Sequence, residues 1–180
     1  MAQDLTALVK QAVRDGVAAR SRFYASLQEP DEQELGAAAT PEQLSAAERT
    51  LGTALPPSYK AFLMLHNGWK MVTASMDLFS IEDVLRVAKD PKTEKWRKIA
   101  LDAGEGFAAK AIVIGASRFA AAKLLLDPEQ TGADGEMAVV RHDKVEEETY
   151  PNFLAYIRAS TEEFTDIAGD IEDGFDFSDV

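Results

Sequence analysis

The chain has 180 residues, with 31 acidic and 19 basic side chains, a formal charge of −12, no cysteine and two histidines. That length fits one domain able to bury roughly 70% of its unfolded surface without staples. Missing thiols exclude disulfides and thiolate metal sites, and the acidic balance argues against nucleic acid or anionic membrane as partner, leaving a basic protein as the natural complement. Met1–Leu8 holds Asp4 and no cation ahead of an apolar core, unlike a secretion signal. No apolar run approaches the ~18 residues of a membrane span, so the expected compartment is the cytosol.

The first predicted element is a helix within Met1–Gln28, where Leu5, Leu8, Val9, Ala12, Val13, Val17, Phe23, Tyr24 and Leu27 form one stripe. Residues 29–40, rich in acidic side chains and holding Pro30 and Gly36, read as a linker. Thr40-Pro41-Glu42-Gln43 then supplies a capping hydroxyl, a proline at the first helical position and a glutamine three residues on, starting a helix that Gly52 ends. Leu55-Pro56-Pro57-Ser58 starts another, stopped by Asn67-Gly68, and Ser80 caps a third that ends before Pro91. An amphipathic helix follows near Thr93–Ala103.

Beyond it the pattern turns to short apolar runs at Ala111–Gly115, Lys123–Leu126 and Met137–Val140, the last two flanking a turn-rich Asp127–Gly135. Helical period returns after Pro151 with Phe153, Tyr156, Ile157 and Phe164. Helices, then strands, then a helix predict an α+β domain with a mixed or antiparallel sheet flanked by helices. The expected organisation is an N-terminal helix over 1–28, a linker over 29–40, a domain over 41–160 and an acidic tail over 161–180.

The segment Leu44–Trp69 (LSAAERTLGTALPPSYKAFLMLHNGW) resembles the signature of the SUKH superfamily, the Smi/Knr cell-wall-assembly family, at Glu48, Leu51-Gly52, Leu55-Pro56, Tyr59-Lys60, Phe62-Leu63 and Asn67-Gly68. Leu78–Val84, the AIVIGAS run, LLLDPEQ and YPNFLAYI continue the resemblance from about Pro41 to Arg158. It implies a mixed sheet flanked by helices and, in bacteria, an immunity protein that neutralises a toxin by direct binding. The alternative it implies is a regulatory or signalling adaptor. It transfers no active site.

Chemistry-bearing motifs are sparse. Gly104–Ala109 spells GxGxxA, but a helix precedes it and a strand follows, the reverse of a dinucleotide site. Asp127–Gly132 begins like a calcium loop, yet Ala138 stands where the closing glutamate belongs. Neither His66 nor His142 has a nucleophile beside it in sequence, so no catalysis, cofactor or metal is expected. The candidate partner-binding residues are Trp69 and Asp77 on the domain and Asp170, Glu172, Asp173 and Asp176 in the tail. Trp69 either packs in the core or anchors an interface. The tail, with eight carboxylates and no Lys or Arg after Ala159, either docks through Phe164, Ile167, Ile171, Phe175 and Phe177 or stays solvated. A basic partner, such as a nuclease-type toxin, would be attracted by it.

Overall fold

Helix starts follow the local chemistry of the chain in the computed structural model, which describes residues 4–143 and 147–174. Asp4 caps α1 (Leu5–Ser26) by accepting from the Thr6 N–H. Thr40 and Gln43 form a reciprocal capping box on α2 (Pro41–Leu51), and Gly52 closes it at φ 72°, a left-handed value glycine adopts without strain. Pro57 opens α3 (Pro57–Leu65), Ser80 caps α4 (Ile81–Val87), and Asp90 caps α5 (Pro91–Asp102). Asn152 accepts from the Ala155 N–H to start α6 (Phe153–Glu172).

The strands are β1 (Glu34–Leu35), β2 (Trp69–Lys70), β3 (Met76–Leu78), β4 (Ile112–Ser117), β5 (Lys123–Thr131), β6 (Met137–His142) and β7 (Glu147–Tyr150). They form one sheet in sequence order with every neighbouring pair antiparallel. The α+β expectation therefore holds, with the antiparallel form of the sheet. Period-two alternation divides the central strands between two layers. Ile112, Ile114, Leu124, Leu126, Met137 and Val139 face the large core built with α1, α3 and α6. Val113, Leu125 and Val140 face the other way, where Phe79 from the connection before α4, Val87 from α4, Trp96 from α5 and Phe107 from the short 3₁₀ helix Gly106–Ala109 pack on them.

Two boundaries differ from the sequence reading. The first helix, expected outside the core, lies within it: Val9, Ala12 and Val13 share the core of Phe62, Phe153 and Ile157. It runs alongside α6 in the same direction, with Arg22 hydrogen-bonded to Glu172 and Gly16 beside Thr161. Gly16 makes the approach possible, because a Cβ there would come within 2.9 Å of the Trp69 ring. The presumed linker contributes β1, paired with Trp69 and Lys70, and Ala39 donates to the Leu63 carbonyl. At the other end α6 continues to Glu172, past the expected domain end at 160, because Phe164 and Ala168 are buried against the domain.

Phe62, Leu63, Ile112 and Ile114, the expected centre of the core, are at most 6% exposed. Truncating Phe62 or Ile114 to alanine is expected to cost ~2–5 kcal/mol, read as a lower urea midpoint at unchanged slope.

Candidate partner-binding site

Trp69 is fully buried, so the interface role offered for it gives way to packing. Its ring stacks on the guanidinium of Arg20, which sits 4.6 Å from the Trp69 centroid and 4.7 Å from that of Phe164. Arg20 is itself fully buried. It donates from Nε to the Val72 carbonyl, from Nη2 to the Ser160 hydroxyl and from Nη1 to the Gly16 carbonyl at 2.9 Å. Burial lowers its pKa, while neighbouring Tyr156 and Glu163 pull the other way. One cation thus ties α1, α6 and the segment after β2 together.

Asp77 is also committed to the fold. It accepts from the Met71 N–H at 2.8 Å and pairs with Arg118 at 2.9 Å. The first bond holds Met71 at φ 55°, and the second ties β3 to the residues after β4. Arg118, in turn, has its pKa raised chiefly by its hydrogen bond to Asp77.

The acidic tail is in large part helix. Glu162, Glu163, Asp166, Asp170, Glu172 and Asp173 are all exposed along or just after α6. Of these six, Glu172 alone is ion-paired among the described residues, with Arg22. The structure therefore brings Asp170, Glu172 and Asp173 together near the end of α6, while Asp176 lies outside the described residues. Asp77 and Trp69 are separate from that group in sequence and are occupied elsewhere.

The other layer carries a feature that sequence reasoning missed. Antiparallel partners share a face, so Asp77, Ala116, Lys123, His142 and Glu147 form one row across β3–β7. At the α5 end of this row lies a cleft of roughly 400 Å³. Trp96, Ile99 and Ala100 of α5 and Ala121 give it apolar walls, and Lys92, Lys95 and Lys123 also line it. Lys123 Nζ sits 5.4 Å over the Trp96 ring, and burial lowers its pKa. The Trp96 ring meets His142 edge-on at 5.7 Å. His142 Nε2 lies 2.8 Å from the Glu105 carboxylate. A signal for the cleft exists in the sequence: Lys92, Trp96, Ile99 and Ala103 share one helical face, spaced by three or four.

The cleft sets the hydrogen-bonded Glu105 and His142 beside Lys123, whereas the α6 surface gathers carboxylates alone. Among the described residues no group of three or more His, Asp or Glu side chains is placed to hold a metal ion. No helix among them is long and apolar enough to cross a membrane. What these surfaces offer is charge and apolar contact area.

A family model described as the SMI1 / KNR4 family (SUKH-1) matches residues 38–159. No curated protein matches the chain.

Proposed function

From the premise that the chain belongs to the SMI1 / KNR4 family (SUKH-1), whose members often act as immunity proteins or cell-wall-assembly factors, we propose that it is a non-enzymatic module that neutralises a toxin effector by direct binding. The observation that carries this reading is the acidic surface of α6, with six exposed carboxylates of which one is neutralised by a neighbouring cation among the described residues. A rigid helix presenting carboxylates matches a basic surface that handles phosphates, as in a nuclease-type toxin. Binding there would exclude substrate by bulk and by charge.

Long-range attraction of this kind acts on encounter, because exposed charges are screened beyond ~8 Å at physiological salt. The test begins with affinity purification of the full chain from its source cells, and a basic effector is expected in one-to-one complex. Adding the chain should abolish that effector's activity. Neutralising Glu163, Asp166, Asp170 and Asp173 together as Gln or Asn should slow association by about tenfold and flatten its salt dependence, with the thermal midpoint unchanged. Glu172 is left intact because it pairs with Arg22. A partner that keeps full activity in the complex would make the chain an adaptor instead. An unaltered association rate would remove α6 from the mechanism.

A further inference from the structure

The charge distribution is two-sided. Helix α6 and its carboxylates pack on one face of the sheet, whereas α5 and the cleft cover the other. In a chain of net charge −12, the cleft is lined by Lys92, Lys95 and Lys123 against a single carboxylate, that of Glu105, which is held by His142. None of these three lysines has a carboxylate within ion-pair distance among the described residues, whereas Lys60, Lys70, Arg86 and Lys110 elsewhere on the surface each have one. Lys10, Arg14, Arg49, Lys89, Lys98 and Arg158 are likewise unpaired among the described residues, so what sets the three apart is that they converge on one apolar cleft. Exposed apolar side chains occur in the cleft wall and close to it in sequence. Ile99, in the cleft wall, is 59% exposed, and Phe119, two residues before Ala121, is 81% exposed.

Unpaired cations around an apolar floor are complementary to a chain that presents carboxylates beside large apolar side chains. The cleft wall residue Ile99 is left 59% exposed, so the apolar surface is open along α5 and not enclosed around a small molecule, which favours an extended polypeptide occupant. We propose that the cleft between α5 and the β5–β6 end of the sheet is a second docking site, which takes an acidic peptide segment carrying aromatic or branched apolar side chains. Its apolar side chains would lie against Trp96 and Ile99, and its carboxylates would meet Lys92, Lys95 and Lys123. The α6 carboxylates lie on the opposite face of the sheet, so a ligand in the cleft makes its short-range contacts with the lysines and not with them.

The two tryptophans provide a direct readout, since Trp69 is shut in the core while Trp96 lines the cleft. The full chain labelled with nitrogen-15 gives two indole N–H signals, and Trp96→Phe assigns them. An end-blocked synthetic hexapeptide alternating aspartate and phenylalanine is the probe. It should shift the Trp96 signal saturably, with a Kd on the order of 1 mM or tighter, and leave the Trp69 signal in place. Lys92→Gln with Lys95→Gln, both on exposed positions, should weaken binding several-fold, and adding Lys123→Gln should bring the loss to roughly tenfold. The double variant keeps the test decisive if replacing half-buried Lys123 harms folding.

Four results would overturn the proposal: an unmoved Trp96 signal, equal binding of the hexapeptide with lysine in place of aspartate, unchanged affinity of the lysine variants, or a response to sodium decanoate but not to the peptide. The last would identify a site for small amphipathic anions. The variant with neutralised α6 carboxylates should bind the hexapeptide as the parent chain does, so failure here and failure of the toxin-binding reading are separately visible.

Discussion

Deleting residues 1–28 is expected to abolish cooperative unfolding, leaving a chain with a broad, shallow urea transition. Helix α1 supplies Val9, Ala12, Val13, Ala19 and Tyr24 as buried side chains, and Val9, Ala12 and Val13 belong to the main core. Burying Val9, Val13 and the Tyr24 ring is worth about 1.5–3 kcal/mol each. Together these approach the ~5–15 kcal/mol that a whole domain retains as net stability. The deletion would also open Trp69 and Phe164, which close around Arg20, to water. Urea unfolding followed by circular dichroism checks this. A sharp transition with the slope expected for a domain of the remaining length would show that α1 is an accessory after all.

The second large effect belongs to Arg20→Ala, for which a loss of ~2–5 kcal/mol is expected from the cavity and the unsatisfied polar groups it leaves. The mutation removes a buried cation that satisfies the Val72 carbonyl and the Ser160 hydroxyl and fills the space between the Trp69 and Phe164 rings. Both a cavity and unsatisfied polar groups would remain. Ser160→Ala removes one acceptor and should cost only about 1 kcal/mol. Arg20→Lys should fall between them, because an ammonium lacks the planar fork that reaches several acceptors while stacking on rings. Equilibrium denaturation of the three variants gives the order directly. A loss below ~1 kcal/mol for Arg20→Ala would mean that Arg20 does not hold α1 to α6.

These two expectations reverse a reading made from sequence, and the reason lies in what a hydrophobic stripe can say. The stripe of α1 announces that one helical face is covered, but not by what. Gly16 and Arg20 lie on that same face, four residues apart, and a glycine followed by a cation on a buried stripe marks a close approach and a satisfied charge. The sequence leaves the tail open between docking through its apolar side chains and a solvated end. The buried stripe of Phe164 and Ala168, four residues apart, decides for docking on the domain over the described part of that tail.

Of this protein, the sequence by itself determined the elements whose cause is local. Capping pairs such as Thr40 with Gln43, and Ser80 before Glu82-Asp83, act within a few residues and mark the starts of α2 and α4. Apolar runs of four or five residues suffice for β4, β5 and β6. The ordered segments from Leu44 to Trp69 and beyond carried the family. The tertiary structure alone decided the rest. Strands β1, β2, β3 and β7 have two to four residues each and too little pattern of their own, so only pairing with distant chain defines them. It alone decided that Trp69 is enclosed rather than exposed, and that Asp77 is spent on Met71 and Arg118. The lysine-lined cleft likewise exists only because α5 and the β5–β6 end of the sheet meet in space. Burial and charge pairing are properties of neighbours, and neighbours remote in sequence are chosen when the layers pack.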